Sequence, residues 1–526
     1  MRPTLTATLT APAPPAQARP AHRLRAVSYI GLLTLFSAII MGYHPYAEDA
    51  GIYLSGLHLA LNPALYPTSQ PFILAHMHHT LFPYFLAGMV RIFHLPVQWI
   101  LLGTYLALLW LLLFAVQRLA VRCWTSPAAQ WASVAVTAFC LGIPVAGTAL
   151  CIADPYLTPR SFATPLCLLL FSSVLDRRAD RAALLLALTI AFHPLMGLYA
   201  GFFALVLWTN RTQRTRGTLR ICLGTVLCAI LMSIAQLHIV ESPAYIHAAL
   251  TRTYFYLSEW QSYEVFGLVA PLAIFLWMFS ADRGHVLPHA RNRAALSGAA
   301  AACGITAMVI SSMLVHPASH SHLLARLQPL RTFHTLYILM FLLLAGTLAE
   351  LALRVIPLRY AAGGLALLLC IFAASMFHVE SQVFPASAHF ELPSRTPPNG
   401  WQQAFLWSRD HTPPDTLFAL DANYISASGE DGQNFRAMAE RSALADYSKD
   451  GGSSAVFPQL ATRWQHDEQL STDLSRIPDA QRISRLTAVG VSWIVLQQKF
   501  QIGSAQTHLT CPYRNATVLV CRISLP

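Results

Sequence analysis

Charge is scarce in this chain of 526 residues: 11% of its side chains are charged and 55% are hydrophobic, against about 25% charged in ordinary soluble proteins. A soluble fold of this size would lack the polar surface to stay dispersed, so the apolar excess is assigned to lipid. Lysine is nearly absent, occurring only as Lys449 and Lys499; the bias towards arginine is read as compositional and given no role. No internal repeat, Walker loop, GxGxxG or GxSxG stretch is found, which removes the usual nucleotide-binding and nucleophile-elbow signatures. The formal charge of +11 does not point to nucleic acid, because the arginines fall in short clusters between apolar runs. That is the pattern of cytoplasmic loops.

The apolar runs set the architecture. A first run, from Ala26 to Gly42, follows Arg19, Arg23 and Arg25 and has no small-residue cleavage site after it, so it is read as an uncleaved span. Residues 1–25 read as a disordered cytoplasmic tail. Further spans are expected at Val97–Leu119, Ala128–Leu150, Ser161–Leu175, Ala182–Phe192 and Leu195–Trp208. Others follow at Ile221–Val240, Tyr263–Phe279, Ala294–Val315, Thr332–Leu353 and Tyr360–Phe377. This gives an α-helical polytopic membrane bundle of about eleven spans over residues 26–380.

With Met1 inside, Arg118, Arg122, Arg177, Arg178, Arg181, Arg211, Arg214, Arg216, Arg220, Arg283, Arg291, Arg293, Arg354 and Arg359 all fall in cytoplasmic loops. Two choices make this work: Thr80–His94 is an interfacial helix, and Ala182–Trp208 is a hairpin broken at His193-Pro194. The localisation expected is the inner (cytoplasmic) membrane, with the C-terminus in the periplasm.

From residue 385 to 526 the composition becomes that of a soluble periplasmic α/β domain. Trp401–His411 and Asn434–Asp446 read as helices, and Thr416–Leu420, Trp493–Gln497 and Thr517–Ile523 as strands. Eight of the ten cysteines are scattered through the apolar part and suit core packing. Cys511 and Cys521 are the only two in the outer domain and flank a short turn, so they are expected to form a disulfide.

The residues that could carry chemistry lie in the outer loops. Glu48 and Asp49 directly follow the first span. They read either as a paired carboxylate acting as general base or metal ligand, or as a solvated Glu48 beside an Asp49 that caps a helix from Ala50 to Leu61. His76, His78 and His79, with Glu48 or Asp49, could hold a divalent metal; the alternative is a polar interfacial loop. His316, His320 and His322 are weighed in the same way. His193 either ends a short helix by satisfying a carbonyl or lines a cavity. Arg160 and Arg331 sit at outer span ends, where the positive-inside rule disfavours arginine. They either snorkel to headgroups or pair with a phosphate.

One span, an acidic pair in a long first outer loop (Tyr43–Pro96) with a helix, a many-helix bundle and an outer soluble domain together resemble the GT-C superfamily of polytopic glycosyltransferases. Asp154-Pro-Tyr-Leu-Thr-Pro-Arg160, His193-Pro-Leu-Met196 and Leu327-Gln-Pro-Leu-Arg331 are similar to segments of uncharacterised bacterial members. The resemblance implies transfer of a sugar from a polyprenyl-phosphate donor to an envelope acceptor. It implies Glu48 or Asp49 as the essential acid, Asp154 as a second acid, and Arg331 as a phosphate ligand. The adjacent Glu-Asp pair departs from the lone or spaced acids of many members and leaves open which of the two acts. The five residues Glu48, Asp49, Asp154, Arg160 and Arg331 are expected to share one cavity. The partners expected are the polyprenyl-phosphate-linked sugar and the lipid bilayer, without nucleic acid. The alternatives are a lipid-carrier or solute transporter, or a non-catalytic relative in envelope assembly.

Overall fold

The computed structural model describes residues 20–212 and 215–523; the expected tail up to Arg19 and the loop residue Arg214 lie outside them. The chain is mostly helical (67%). Six segments are long and apolar enough to cross a membrane: Val97–Cys123, Arg216–Ala235, Ser262–Asp282, Pro288–Leu314, Leu323–Val355 and Leu358–Val383. Leu219, Leu223, Leu227, Leu367, Leu368 and Ile371 on these segments are exposed, an apolar surface of the kind that faces a membrane. The chain is a multi-pass membrane protein.

The count of eleven spans is not established by length and composition. The run expected over Ala128–Leu150 is helical only across Pro127–Phe139, after which the chain bends back through an isolated bridge between Pro144 and Cys151. Pro159–Leu175, Ala179–Phe192 and Pro194–Arg211 are also shorter or less uniformly apolar helices. Much of Pro159–Leu175 is buried against neighbours, so its length is set by packing within the bundle. The break between the last two helices falls at His193, because Pro194 has no amide to continue the ladder.

The arginine clusters gather at one end of the bundle. Arg122 pairs with Asp176. Arg293 forks onto Asp282 at 2.7 and 2.9 Å and donates to the Cys123 carbonyl. Arg211 donates to the Val174 carbonyl. The loops expected on the outer side meet at the opposite end. There Ala50–Leu61 forms the expected helix, followed by the helices Gln70–Met77 and Phe82–Phe93.

The C-terminal region carries a five-stranded sheet of β1 (Leu417–Leu420), β2 (Ser442–Ala443), β3 (Trp493–Gln497), β4 (Thr510–Arg514) and β5 (Val518–Arg522), in the order β2-β1-β3-β5-β4. The first three strands are parallel and the last two add antiparallel. Gly400–His411 covers one face through Trp401 and Phe405. Leu474, Leu486 and Val491 pack with Ile494 and Leu496 on the other. Cys511 and Cys521 are disulfide-bonded across the β4–β5 hairpin, a short loop closure that contributes about 2–3 kcal/mol.

The helix expected over Asn434–Asp446 is a correction. It ends after Phe435–Ala439, because Glu440 turns left-handed (φ 52°) and the chain continues as the edge strand β2. The competing interactions are tertiary. Ser69 of the first loop bonds both backbone groups of Ala443 at 2.9 and 3.1 Å, and Phe418 pairs with it.

This docking places the C-terminal region over the same loops. Tyr66 donates to the Arg436 carbonyl at 2.9 Å. Phe72, Tyr245, Ala248 and Trp464 form a joint apolar cluster from three separate segments. Gly51 is required here: a Cβ would lie 2.0 Å from the Asn434 side chain, so only glycine lets the first-loop helix approach this closely.

Candidate active site

Between the outer loops and the docked domain lies a cavity of about 590 Å³. Glu48, Asp49, His76, His79, His193 and Arg331 line it. Three of its lining residues, Glu48 (φ 48°), Ala149 (φ 56°) and Gln328 (φ 45°), hold left-handed backbone conformations that L side chains rarely adopt. Such strain persists only where the surroundings enforce it, and it concentrates at functional sites.

Asp49 occupies the N-cap position of Ala50–Leu61, yet its side chain makes no capping hydrogen bond. The capping reading is therefore corrected. The carboxylate turns instead to Lys449, which donates to Asp49 Oδ1 at 3.1 Å and also pairs with Glu48. Burial acts to raise the Asp49 carboxyl, but Lys449, Arg160 and Arg331 outweigh it and hold the group well below the usual carboxylate range. Asp49 is thus ionised at every physiological pH while 39% of its side chain stays open. Burial acts to lower the Lys449 ammonium, and the two carboxylates overcome it and raise the group well above its ordinary value.

Lys449 begins the helix Lys449–Val456, and a buried network fixes that helix. Arg436 forks onto Asp450 at 2.7 Å on both oxygens, and the Lys449 amide donates to Asp446. Arg252 donates to the Tyr447 and Ser448 carbonyls at 2.7 and 3.0 Å. Lys449, Arg252 and Arg326 are the charged lining residues that sequence reasoning missed. For Lys449 the sequence carries a signal, since it is one of only two lysines.

The histidines do not form the expected ligand set. Ser453 Oγ donates to the Lys449 carbonyl at 2.9 Å, so at 2.8 Å it accepts from His76 Nε2. Burial lowers the His76 ring to about 4, against Asp49 and Asp450, which act to raise it; the ring is neutral. His79 stacks on Phe457, and His78 is exposed and does not line the cavity. Among the described residues no group of three or more His, Cys, Asp or Glu could hold a metal. Between the two carboxylates, where a divalent ion would bridge them, the ammonium of Lys449 already sits. The residues present do not fit a resident metal.

His316 and His320 line a separate surface cavity, and His322 bonds Glu241 at 2.6 Å. His193 lines the main cavity, but its Nδ1 accepts from the Met196 amide at 3.4 Å rather than satisfying a carbonyl. It is an N-cap for the helix after the break.

Asp154 and Arg160 do not reach the cavity surface. They pair with each other at 2.5 Å, both buried, in a small adjoining pocket. Burial raises the Asp154 carboxyl and the Arg160 guanidinium acts against that rise. Tyr156 and Pro159 of the same segment line the cavity in their place. The expected five-residue convergence is therefore corrected: Glu48, Asp49 and Arg331 face one space, and the Asp154–Arg160 pair supports it from outside. Paired charges in a dry setting hold each other in place.

Arg331 has no carboxylate partner among the described residues. Its guanidinium lies 5.5 Å from the Tyr254 ring centre, and its buried Nε is unbonded. Tyr199 fixes the turn before it by donating to the Leu327 carbonyl at 2.5 Å. Behind that turn runs a second, apolar cavity of about 630 Å³, lined by Leu198, Phe202, Ala307 and Ile310 among others. Pro194 and Leu327 line both spaces, so the polar cavity and the apolar groove share a wall.

No protein-family model and no curated protein sequence matches the chain. Solved structures do. One is the Archaeoglobus fulgidus oligosaccharyltransferase tethered with an acceptor peptide containing the NVT sequon, at 10% identity and TM-score 0.48, covering 92% of this chain and 70% of that one. Another is the oligosaccharyltransferase AglB of the same organism with an inhibitory peptide and a dolichol-phosphate, at 12% identity and TM-score 0.41, covering 91% and 70%. Both TM-scores lie below 0.5, and the functional reading is built on the cavity alone.

Proposed function

We propose that this protein transfers a sugar from a polyprenyl-phosphate donor to an envelope acceptor, in the cavity between the outer loops and the C-terminal domain. The observation that carries this reading is a shared wall. One side of the 323–332 segment presents an unpaired arginine to a polar cavity holding two carboxylates, and the other side closes an apolar groove. A molecule with an apolar chain, a phosphate and a polar sugar meets all three surfaces in that order. Tyr53, Tyr156, Tyr254 and Phe457 give the polar cavity aromatic walls suited to a sugar ring.

In the reaction, the acceptor's nucleophilic atom forms a bond to the anomeric carbon as the bond from that carbon to the phosphate oxygen breaks. The electron pair stays on the lipid phosphate, where Arg331 meets the developing charge. The acceptor's proton passes to the carboxylate pair. Because Asp49 is a weak base beside Lys449, its larger contribution is to orient the acceptor and stabilise positive charge on the sugar. Glycan profiles of envelope material from cells with and without the gene test the reading. A glycan present only with the gene is expected; identical profiles would refute it.

The same reading places the cavity on the periplasmic face of the inner membrane, since the arginine clusters meet at the opposite end. A phosphatase fused after Pro526 is expected to be active. An inactive fusion, with a fluorescent reporter that works at the same position, would reverse the orientation.

A further inference from the structure

Sugar transfer releases a proton that the acid pair cannot keep. Lys449, Arg160 and Arg331 hold Asp49 ionised, and the Lys449 ammonium pairs with both carboxylates at once. Protonating either acid breaks a charge-assisted hydrogen bond to the docked domain. Three imidazoles line the same cavity: His76, His79 and His193. His193 commits its Nδ1 lone pair to the Met196 amide, so the proton of that neutral ring lies on Nε2 and no lone pair is left. His79 stacks on Phe457 at 5.4 Å, an apolar contact that fixes neither ring nitrogen.

His76 differs from both. Its Nε2 donates to Ser453 Oγ at 2.8 Å, because that hydroxyl already donates to the Lys449 carbonyl. This sets the tautomer and leaves the lone pair on Nδ1. Nδ1 has no hydrogen-bond partner among the described residues and is not one of the side-chain atoms shut away from solvent. It opens to the cavity that the ring lines. Tyr53 and Phe457 stand nearly perpendicular to the ring, at 5.6 and 5.0 Å, and hold its plane. Of the charged neighbours Asp49 acts on the ring most strongly, then Asp450, with His79 acting in the opposite sense. An imidazolium formed here lies in the field of two carboxylates.

We infer that His76 is the final acceptor of the proton released in transfer, with Nδ1 as the basic atom and Ser453 as the positioning residue that fixes its tautomer. The inference rests on the reading of the cavity as a transfer site and completes the path of the proton beyond the carboxylate pair. As the acceptor's nucleophilic atom bonds to the anomeric carbon, its proton passes by way of the carboxylates to Nδ1. The imidazole becomes an imidazolium while the lipid phosphate keeps the electron pair of the broken bond. One positive and one negative charge thus arise together, and the proton leaves to water with the product. Burial lowers the ring to about 4, so its lone pair is free above that pH. Asp49, held lower still, gives the proton up to it.

The test follows the gene-dependent glycan over time in isolated membranes, which hold the full chain with its natural donor and acceptor. His76→Ala is expected to slow its formation about 10²-fold or more. Added imidazole is expected to raise the rate of that variant about tenfold, and pyrazole, of the same shape and far less basic, to leave it slow. The wild-type rate should fall only as pH approaches about 4. In the imidazole-rescued variant the acid limb should lie near the ordinary imidazole value of about 6.5. A His76→Ala protein that transfers as the wild type does overturns the inference. So does a slow one that melts as the wild type does and responds to neither azole, or to both alike. His76→Gln keeps a donor for Ser453 and lacks a basic lone pair, and it decides the matter where the alanine variant does not fold: a fast His76→Gln protein overturns the inference. Imidazole rescue of His79→Ala in place of His76→Ala would give the proton to the neighbouring ring and overturn the choice of His76. Absence of the glycan from wild-type membranes would instead remove the transfer reading on which the inference stands.

Discussion

Asp49→Asn is expected to lower sugar transfer by about 10²–10³-fold, the range seen when a group that stabilises transition-state charge is lost, while the protein still inserts and folds. The substitution keeps the shape of the side chain and removes its charge. Its partner Lys449 retains Glu48, so the contact between the first loop and the C-terminal domain survives. Asp49 makes no capping bond, and the helix it precedes loses nothing by the change. The variant therefore separates the competing readings. A scaffold in envelope assembly would keep its partners and its phenotype, and a transporter would still move its cargo. Glu48→Gln is the companion, and the two together decide which acid of the adjacent pair acts. An unchanged glycan product in both variants would leave the carboxylates without a chemical role.

The parts of this site that were legible in the sequence are those set by local rules. The acidic pair stands out because it follows a span and precedes a helix. Ala50–Leu61 was readable from its apolar spacing, the break at His193 from Pro194, and β3 from a short β-branched run. Arg331 stands out because arginine is disfavoured at an outer span end. What failed was set by contacts between distant segments. Asn434–Asp446 has helical composition, but Ser69, far away in the first loop, captures the Ala443 backbone and turns the segment into an edge strand. Asp154 and Arg160 look like site residues one by one, yet at a spacing of six they reach each other first. Lys449 meets Glu48 and Asp49 across some 400 residues. No periodicity encodes such a meeting; it exists only once Gly51 has let the first-loop helix pack against Asn434.

Lys449 is accordingly the residue whose removal should change most of the site's electrostatics. Lys449→Met keeps the length of the side chain and deletes the charge, leaving the adjacent Glu48 and Asp49 without the ammonium they share. Breaking a fully buried pair costs about 3–5 kcal/mol. Here the acids are 45% and 39% exposed, and solvent screening reduces the expected loss to about 1–2 kcal/mol. Its pH dependence identifies the cause. In the wild type the Asp49 carboxyl lies below its unfolded value near 3.9. The stability it contributes is thus present above that value and is lost only as pH falls through the lower folded value. Without Lys449, burial is opposed by Arg160 and Arg331 alone, and the folded value rises. Protonation then relieves the variant at a pH where the wild type is still ionised. The gap in melting temperature should be widest near pH 7 and should narrow as pH falls through the acid range. The acid limb of the transfer rate should move to higher pH in the variant. Lys449→Arg, which keeps the charge, should restore most of the wild-type profile. A gap of constant size from pH 7 to pH 4 would mean that Lys449 serves by packing alone, and the ammonium would have no part in tuning the acids beside it.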